Sequence, residues 1–215
     1  MNITIIGAGN MARGIATRAL AGGHTVHITA KDPAKASQLA EELRAQPAGA
    51  AVRAGDDSAV DTADIVVLAV PYTAAKELAA AYGARLSGRT LVDISNPVDA
   101  SLDALLVAPG TSAAEEIARA SAPGTHVVKA FNTTFATTLV AGRVDDTPLD
   151  VFIAGDDEAA REQVAELVAS GGLHAVDVGA LKHARELEGF QLLHMALQIR
   201  DGGYGWASTI KLITP

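Results

Sequence analysis

Three small residues near the start of the chain, Gly7, Gly9 and Ala12, have the spacing of a phosphate-binding turn. Gly7-Ala8-Gly9 follows an apolar, β-branched run, Ile3-Thr4-Ile5-Ile6, and precedes a stretch with helical spacing. Strand, glycine turn and helix in that order form the entry of a dinucleotide-binding βαβ unit, with glycine at the first two fingerprint places and Ala12 at the third. Gly7 permits the tight turn out of the strand. Gly9 has no Cβ, so a pyrophosphate can approach the backbone, and Ala12 keeps the helix close to the sheet. The free N–H groups and the positive end of the helix then face the phosphates.

A second cluster bears on which dinucleotide is bound. A unit that takes NAD usually has an acid at the end of its second strand, about 20 residues past the glycines, to hold the ribose hydroxyls. Here that strand ends Ile28-Thr29-Ala30 with no acid, and Lys31 and Lys35 follow. Both lysines could reach a 2′-phosphate, which predicts NADP(H); the bland alternative is a pair of surface charges at a helix entry. Asp32, between them, is the feature that opposes the NADP reading.

Toward the C-terminus a helical pattern carries a polar stripe, Glu188, Gln191, His194 and Gln198. It either lines a pocket for a redox acceptor or is a solvent face or a set of satisfied buried polar groups. Trp206 and Tyr204, among few aromatics, suggest a packing or dimer contact or a cap on that pocket. No Ser/His/acid arrangement and no His spacing of the zinc type is present. The chain has no cysteine, which excludes disulfides, cysteine metal sites and a thiol nucleophile. No metal is expected and no acid–base residue stands out. Such a site suits hydride transfer, which rests on positioning.

The elements that must hold these residues alternate along the chain. Strands are predicted over 2–6, 24–29, 51–53, 63–70, 90–94, 125–131, 149–154 and 174–178. Helices are predicted over 10–21 (with Met11, Ile15 and Ala19 inward), from Pro33 through Leu43, and over 74–82, 112–121, 158–170 and 181–200. The unbroken run Ile65-Val66-Val67-Leu68-Ala69-Val70 marks a central parallel strand covered on both faces. Alternation of this kind predicts an α/β fold, a doubly wound and mainly parallel sheet with right-handed crossovers. We expect residues 1–130 to form the dinucleotide-binding domain. Residues 131–215 should form a small helical and strand appendage continuous with it, for substrate and dimerisation.

The 215 residues suffice for a real core, built mostly from aliphatic residues because aromatics make up only 4%. A formal net charge of -8 disfavours nucleic acid and anionic membrane surfaces as partners. No run approaches the ~20 apolar residues of a membrane span. The first strand begins at the initiator Met, so no signal peptide is expected and the cytoplasm is the default location.

Four segments together, Gly7-Ala8-Gly9-Asn10-Met11, Ala69-Val70-Pro71-Tyr72, Asp93-Ile94-Ser95-Asn96-Pro97 and Lys129-Ala130-Phe131-Asn132-Thr133, resemble the coenzyme F420-dependent NADP oxidoreductases. More narrowly the chain is similar to their short stand-alone bacterial relatives, and the cytosolic domain of the six-transmembrane ferric reductases is related. The resemblance implies a Rossmann-type fold and a layout. Gly7, Gly9, Asn10 and Met11 would meet the pyrophosphate. Lys31 and Lys35 would take the 2′-phosphate beside Ala30, which stands where deazaflavin-linked members tend to carry a serine. Ala69, Val70, Pro71 and Tyr72 would border the adenosine ribose and the bridge. Asn96 and Pro97 would lie near the nicotinamide ribose and carboxamide, and Phe131 and Asn132 near the ring. It also implies hydride transfer between NADPH and a deazaflavin (coenzyme F420) or flavin-like acceptor, and a homodimer. Alternatives are an NADPH-dependent reductase of a small imine, carbonyl or ferric chelate, and a non-catalytic NADP(H)-binding module.

Overall fold

The computed structural model describes residues 1–213. Strand β1 (Asn2–Ile6) lies in the interior of an eight-stranded sheet and is followed by α1 (Asn10–Ala21). To one side the chain adds β2 (Thr25–Thr29), α2 (Pro33–Arg44) and β3 (Val52–Ala54). To the other side it adds β4 (Ile65–Leu68), α3 (Tyr72–Tyr82), β5 (Thr90–Asp93), α4 (Ala113–Ala120) and β6 (His126–Lys129). All these strands pair in parallel, and the sheet order reverses direction between β1 and β4. In open α/β sheets, ligands bind outside the carboxyl ends of the strands at such a reversal.

Period-two alternation splits each buried strand between two cores. Ile65 and Val67 of β4 face one core while Val66 and Leu68 face the other. The first core is closed by Ile15, Ala16 and Ala19 of α1 and by Leu39 and Leu43 of α2. The second is closed by Ala75 and Ala79 of α3 and by Ile117 of α4. With every β4 side chain buried, the unbroken apolar run is explained. Met11 departs from its expected inward place: Ala12 takes that position, and Met11 stays half-buried at the carboxyl edge of the sheet.

After β6 come α5 (Ala136–Ala141) and a hairpin of β7 (Arg143–Val144) and β8 (Thr147–Pro148). Then β9 (Asp150–Gly155) pairs antiparallel with β6, and β10 (His174–Gly179) extends the edge after α6 (Glu158–Ser170). The antiparallel turn and the hairpin are absent from the sequence-based reading. The predicted long helix begins as one 3₁₀ turn and becomes α7 (Ala184–Gln198). No helix among the described residues is long and apolar enough to cross a membrane.

The segment after α7 is tied down. The fully buried Asp150 carboxylate accepts hydrogen bonds from Lys211 Nζ, from the Leu212 N–H at 2.7 Å and from His174 Nδ1 at 2.9 Å. Burial opposes its charge, but Lys211 and then the Leu212 amide outweigh burial and hold the carboxyl below its usual range.

Candidate functional site

A cleft of about 500 Å³ opens at the sheet reversal. Gly9, Asn10 and Met11 bring the start of α1 to it, and Ala69, Val70, Pro71, Tyr72 and Thr73 bring the β4–α3 turn. Ile94 to Val98 follow from the end of β5, with Leu106 from the next loop and Met195 from α7. Thus Gly9, Asn10, Met11, Ala69, Val70, Pro71, Tyr72, Asn96 and Pro97, singled out from sequence in three separate segments, border one space. The apolar wall of Ile94, Val98, Leu106 and Met195 was missed. Leu106 lies in an irregular loop, and the place of Met195 depends on which face α7 turns inward.

The two glycines differ in kind. Gly7 has φ +124°, and a Cβ built there would lie 2.2 Å from the Ala69 carbonyl oxygen, so strand β4 itself requires glycine. A Cβ at Gly9 meets nothing within 4 Å. Gly9 is also the N-cap of α1, with no side-chain cap and no acidic residue in the first turn. The first-turn amides, which have no intrahelical partner, therefore face open space. Together with the helix dipole they form a site for an anion.

Ala30, Lys31 and Lys35 are not in the cleft lining but at the adjoining carboxyl end of β2. Both lysines are exposed and enter no ion pair among the described residues. Asp32 is the N-cap of α2, its carboxylate accepting from the Ala34 N–H at 3.1 Å. The acid is thus engaged in capping its own helix.

Tyr72, the only hydroxyl-bearing aromatic on the cleft, donates its proton to the Glu116 carboxylate, which also accepts from Lys76 Nζ at 2.7 Å. Burial, and then Glu116, push the phenol up to about 12. It is a fixed donor with little acidity at neutral pH.

Asn132 is 1% exposed and stands behind the cleft wall. Its Nδ2 donates to Asn96 Oδ1 at 3.0 Å and to the Leu187 carbonyl at 3.3 Å, and Asn96 Nδ2 donates back to the Asn132 carbonyl at 2.9 Å. Asn132 Oδ1, Ser95 Oγ and Thr133 Oγ1 are buried without a partner. Phe131 is corrected: its side chain is 1% exposed within the first core, so the ring is not offered to the cleft. Its φ of +62° is strained for a bulky residue. That turn ends β6 and aims Asn132 toward Asn96.

The assignment of Gln191, His194 and Trp206 to an acceptor pocket is also corrected. The polar stripe of α7 faces the protein interior (Glu188 0%, Gln191 1%, His194 7% and Gln198 6% exposed). His194 Nδ1 meets Gln191 Oε1 at 3.1 Å and Nε2 meets Ser208 Oγ at 2.8 Å, and burial lowers its pKa. Trp206 packs edge-on against Phe135 at 5.2 Å, and its backbone N–H donates to Gln198 Oε1 at 3.1 Å. These groups pin the tail to α7, while Met195, one residue beyond His194, is the side chain that reaches the cleft. Three apolar residues of α7 face outward, Phe190 45%, Leu193 59% and Leu197 37% exposed, while Ala184 and Leu187 are buried.

Residues 2–97 match the family model described as NADP oxidoreductase, coenzyme F420-dependent. The F420-dependent NADP reductase of Methanothermobacter thermautotrophicus is 32% identical over 213 residues, which is 94% of this chain and 90% of that protein. The Metalloreductase STEAP3 of Rattus norvegicus is 32% identical over 193 residues, 88% of this chain, but this chain spans only 36% of that protein's length. A solved structure from Arthrobacter sp. FB24, titled as a candidate F420 dependent NADP-reductase, superposes with a TM-score of 0.77 at 30% identity and covers 95% of each chain.

Proposed function

We infer the function from a premise that these similarities establish: the chain belongs to the coenzyme F420-dependent NADP oxidoreductase family. It is an NADP(H)-dependent oxidoreductase that moves a hydride between NADPH and a deazaflavin or flavin-like acceptor. One observation of the chain itself carries the reading: the uncapped start of α1 at Gly9, where a Cβ would meet open space at the sheet reversal.

The residues fit the dinucleotide. Gly7 makes the turn, and Gly9, Asn10 and Met11 would hold the pyrophosphate. Lys31 and Lys35 would hold the 2′-phosphate, with Ala30 leaving room beside them. Ala69, Val70, Pro71 and Tyr72 would border the ribose and the bridge. Asn96 and Pro97 would hold the nicotinamide end, with Asn132 behind the wall holding Asn96 in place.

When bound, NADPH supplies the hydride. This chain's residues orient two rings and exclude water from between them, which is most of what such a transfer requires. Ile94, Val98, Leu106 and Met195 provide an apolar wall for a second flat ring. The commitment of Tyr72 to Glu116 supports an acceptor that needs no proton donor on the cleft wall.

Residues 1–130 make up the cofactor-binding domain, and residues 131–215 a smaller region continuous with it that completes the substrate site and serves dimerisation. The working unit is a homodimer. Its support is the inverted α7: Phe190, Leu193 and Leu197 form an apolar stripe on an exposed face, a self-complementary surface for a two-fold copy. Light scattering should give twice the chain mass. Leu193→Glu with Leu197→Glu should give a folded monomer, and a monomeric wild-type protein removes this assignment. The cytoplasm suits an NADPH-using chain without a single cysteine.

The cofactor assignment is tested by Lys31→Ala combined with Lys35→Ala. Losing two charge-assisted contacts to a 2′-phosphate should weaken NADPH binding roughly 30-fold, with NADH binding changed less than about threefold. Equal losses for the two dinucleotides contradict the 2′-phosphate role.

A further inference from the structure

Lys129 is completely buried at the carboxyl end of β6, and nothing in the hydride-transfer reading uses it. Its Nζ donates to Asp93 Oδ2 at 2.7 Å, to the Ser95 carbonyl at 2.6 Å and to Glu188 Oε1 at 2.7 Å. Asp93 is its register partner on β5 and also accepts the Ser95 N–H at 2.9 Å. Glu188 comes from α7 and also accepts the first amides of α4, from Ala113 at 3.0 Å and Ala114 at 3.4 Å.

The bonds form a closed circuit. Lys129 holds Ser95; the next residue, Asn96, is paired with Asn132; Asn132 holds the Leu187 carbonyl; and the next residue, Glu188, returns to Lys129. Two walls of the cleft hang on this circuit: the Ser95–Pro97 turn on one side and, two helical turns beyond Glu188, Met195 on the other. A core that only needed filling would not pair two carboxylates with one ammonium out of water, because apolar side chains of the same volume serve as well or better.

We propose that Lys129, Asp93 and Glu188 are positioning residues that fix the turn bearing Asn96 relative to helix α7, and thereby set the nicotinamide end of the cleft. The inference rests on the NADP reading above. It locates the effect at one end of the dinucleotide only. Gly9, Lys31 and Lys35 lie outside the circuit, so the adenosine end does not depend on it.

The test compares NADPH with 2′,5′-ADP, which keeps the adenosine and 2′-phosphate and lacks the nicotinamide half. Both are titrated calorimetrically against wild type, Glu188→Ala and Glu188→Gln. In Glu188→Ala, NADPH affinity should fall at least about tenfold while 2′,5′-ADP changes less than about threefold. Glu188→Gln keeps an acceptor for Lys129, and both ligands should stay within about threefold of wild type. If Glu188→Ala does not fold, Glu188→Asp, which keeps the charge and shortens the reach, should show the same separation at smaller size. Parallel losses of the two ligands, or no loss of either, overturn the positioning role. A wild-type protein that binds neither ligand overturns the NADP reading, and this inference with it.

Discussion

Gly9→Val is expected to weaken NADPH binding at least about 100-fold while leaving the thermal midpoint within a few degrees of wild type. The backbone there is extended, φ -88° and ψ -173°, which a β-branched residue adopts without strain. Apart from its chain neighbours, nothing lies within 4 Å of the added Cβ, so the branch point enters open space. The space it fills is the one in front of the uncapped amides of α1, and a valine there excludes a pyrophosphate. Gly7→Ala should behave in the opposite way. Its Cβ would fall on the Ala69 carbonyl and its φ is left-handed, so stability is lost first and binding only as a consequence. Fluorescence titration with NADPH and a melting curve on both variants separate the two roles. Normal NADPH binding by Gly9→Val would contradict the phosphate site.

Lys129→Met carries the largest expected cost in stability, about 3–5 kcal/mol, because it leaves Asp93 and Glu188 buried without their cation. Adding Glu188→Gln removes one of those charges and should restore part of the loss. The pH dependence gives a signed check. Burial already pushes the Glu188 carboxyl up, against the pull of Lys129, and losing that pull raises it further. An acid whose folded pKa is raised contributes stability that is complete below its unfolded value and is lost as pH rises through the folded one. Lys129→Met should therefore gain stability relative to wild type as pH falls from 7 toward 5, by urea unfolding at each pH. A cost below 1 kcal/mol, or no relative gain on acidification, would show that the buried charges are already compensated without Lys129.

The contrast between the two ends of the chain shows what a sequence makes legible. The glycine turn, the buried run of β4 and the placing of Pro33 in the first turn of α2 depend on neighbours within a few residues, and periodicity and residue type are enough to find them. Helix α7 resisted the same treatment because periodicity reports which face is apolar, and the usual step from apolar to inward fails here. Its polar face is turned inward by partners far along the chain: Lys129 for Glu188, and Ser208 for His194. Of the readings open for Gln191 and His194, the structure shows buried, hydrogen-bonded polar groups that do not line the cleft. Lys129 itself carried a signal, a lysine within Val127-Val128-Lys129-Ala130-Phe131, too apolar a setting for a surface charge. Its meaning needed the register that sets it opposite Asp93 on the adjoining strand. The same holds for Asp32, whose charge opposed an NADP site on paper and whose side chain caps α2 in the fold.

Hydride transfer from NADPH to a deazaflavin is measured by anaerobic oxidation of NADPH by the purified protein with coenzyme F420 as sole acceptor. The hydride and one solvent proton pass to the acceptor, so NADPH absorbance and the absorbance of oxidised F420 should decline together, one for one, and faster in proportion to enzyme. Unchanged absorbances, in a preparation that demonstrably binds NADPH, would contradict the deazaflavin assignment while leaving the dinucleotide site standing.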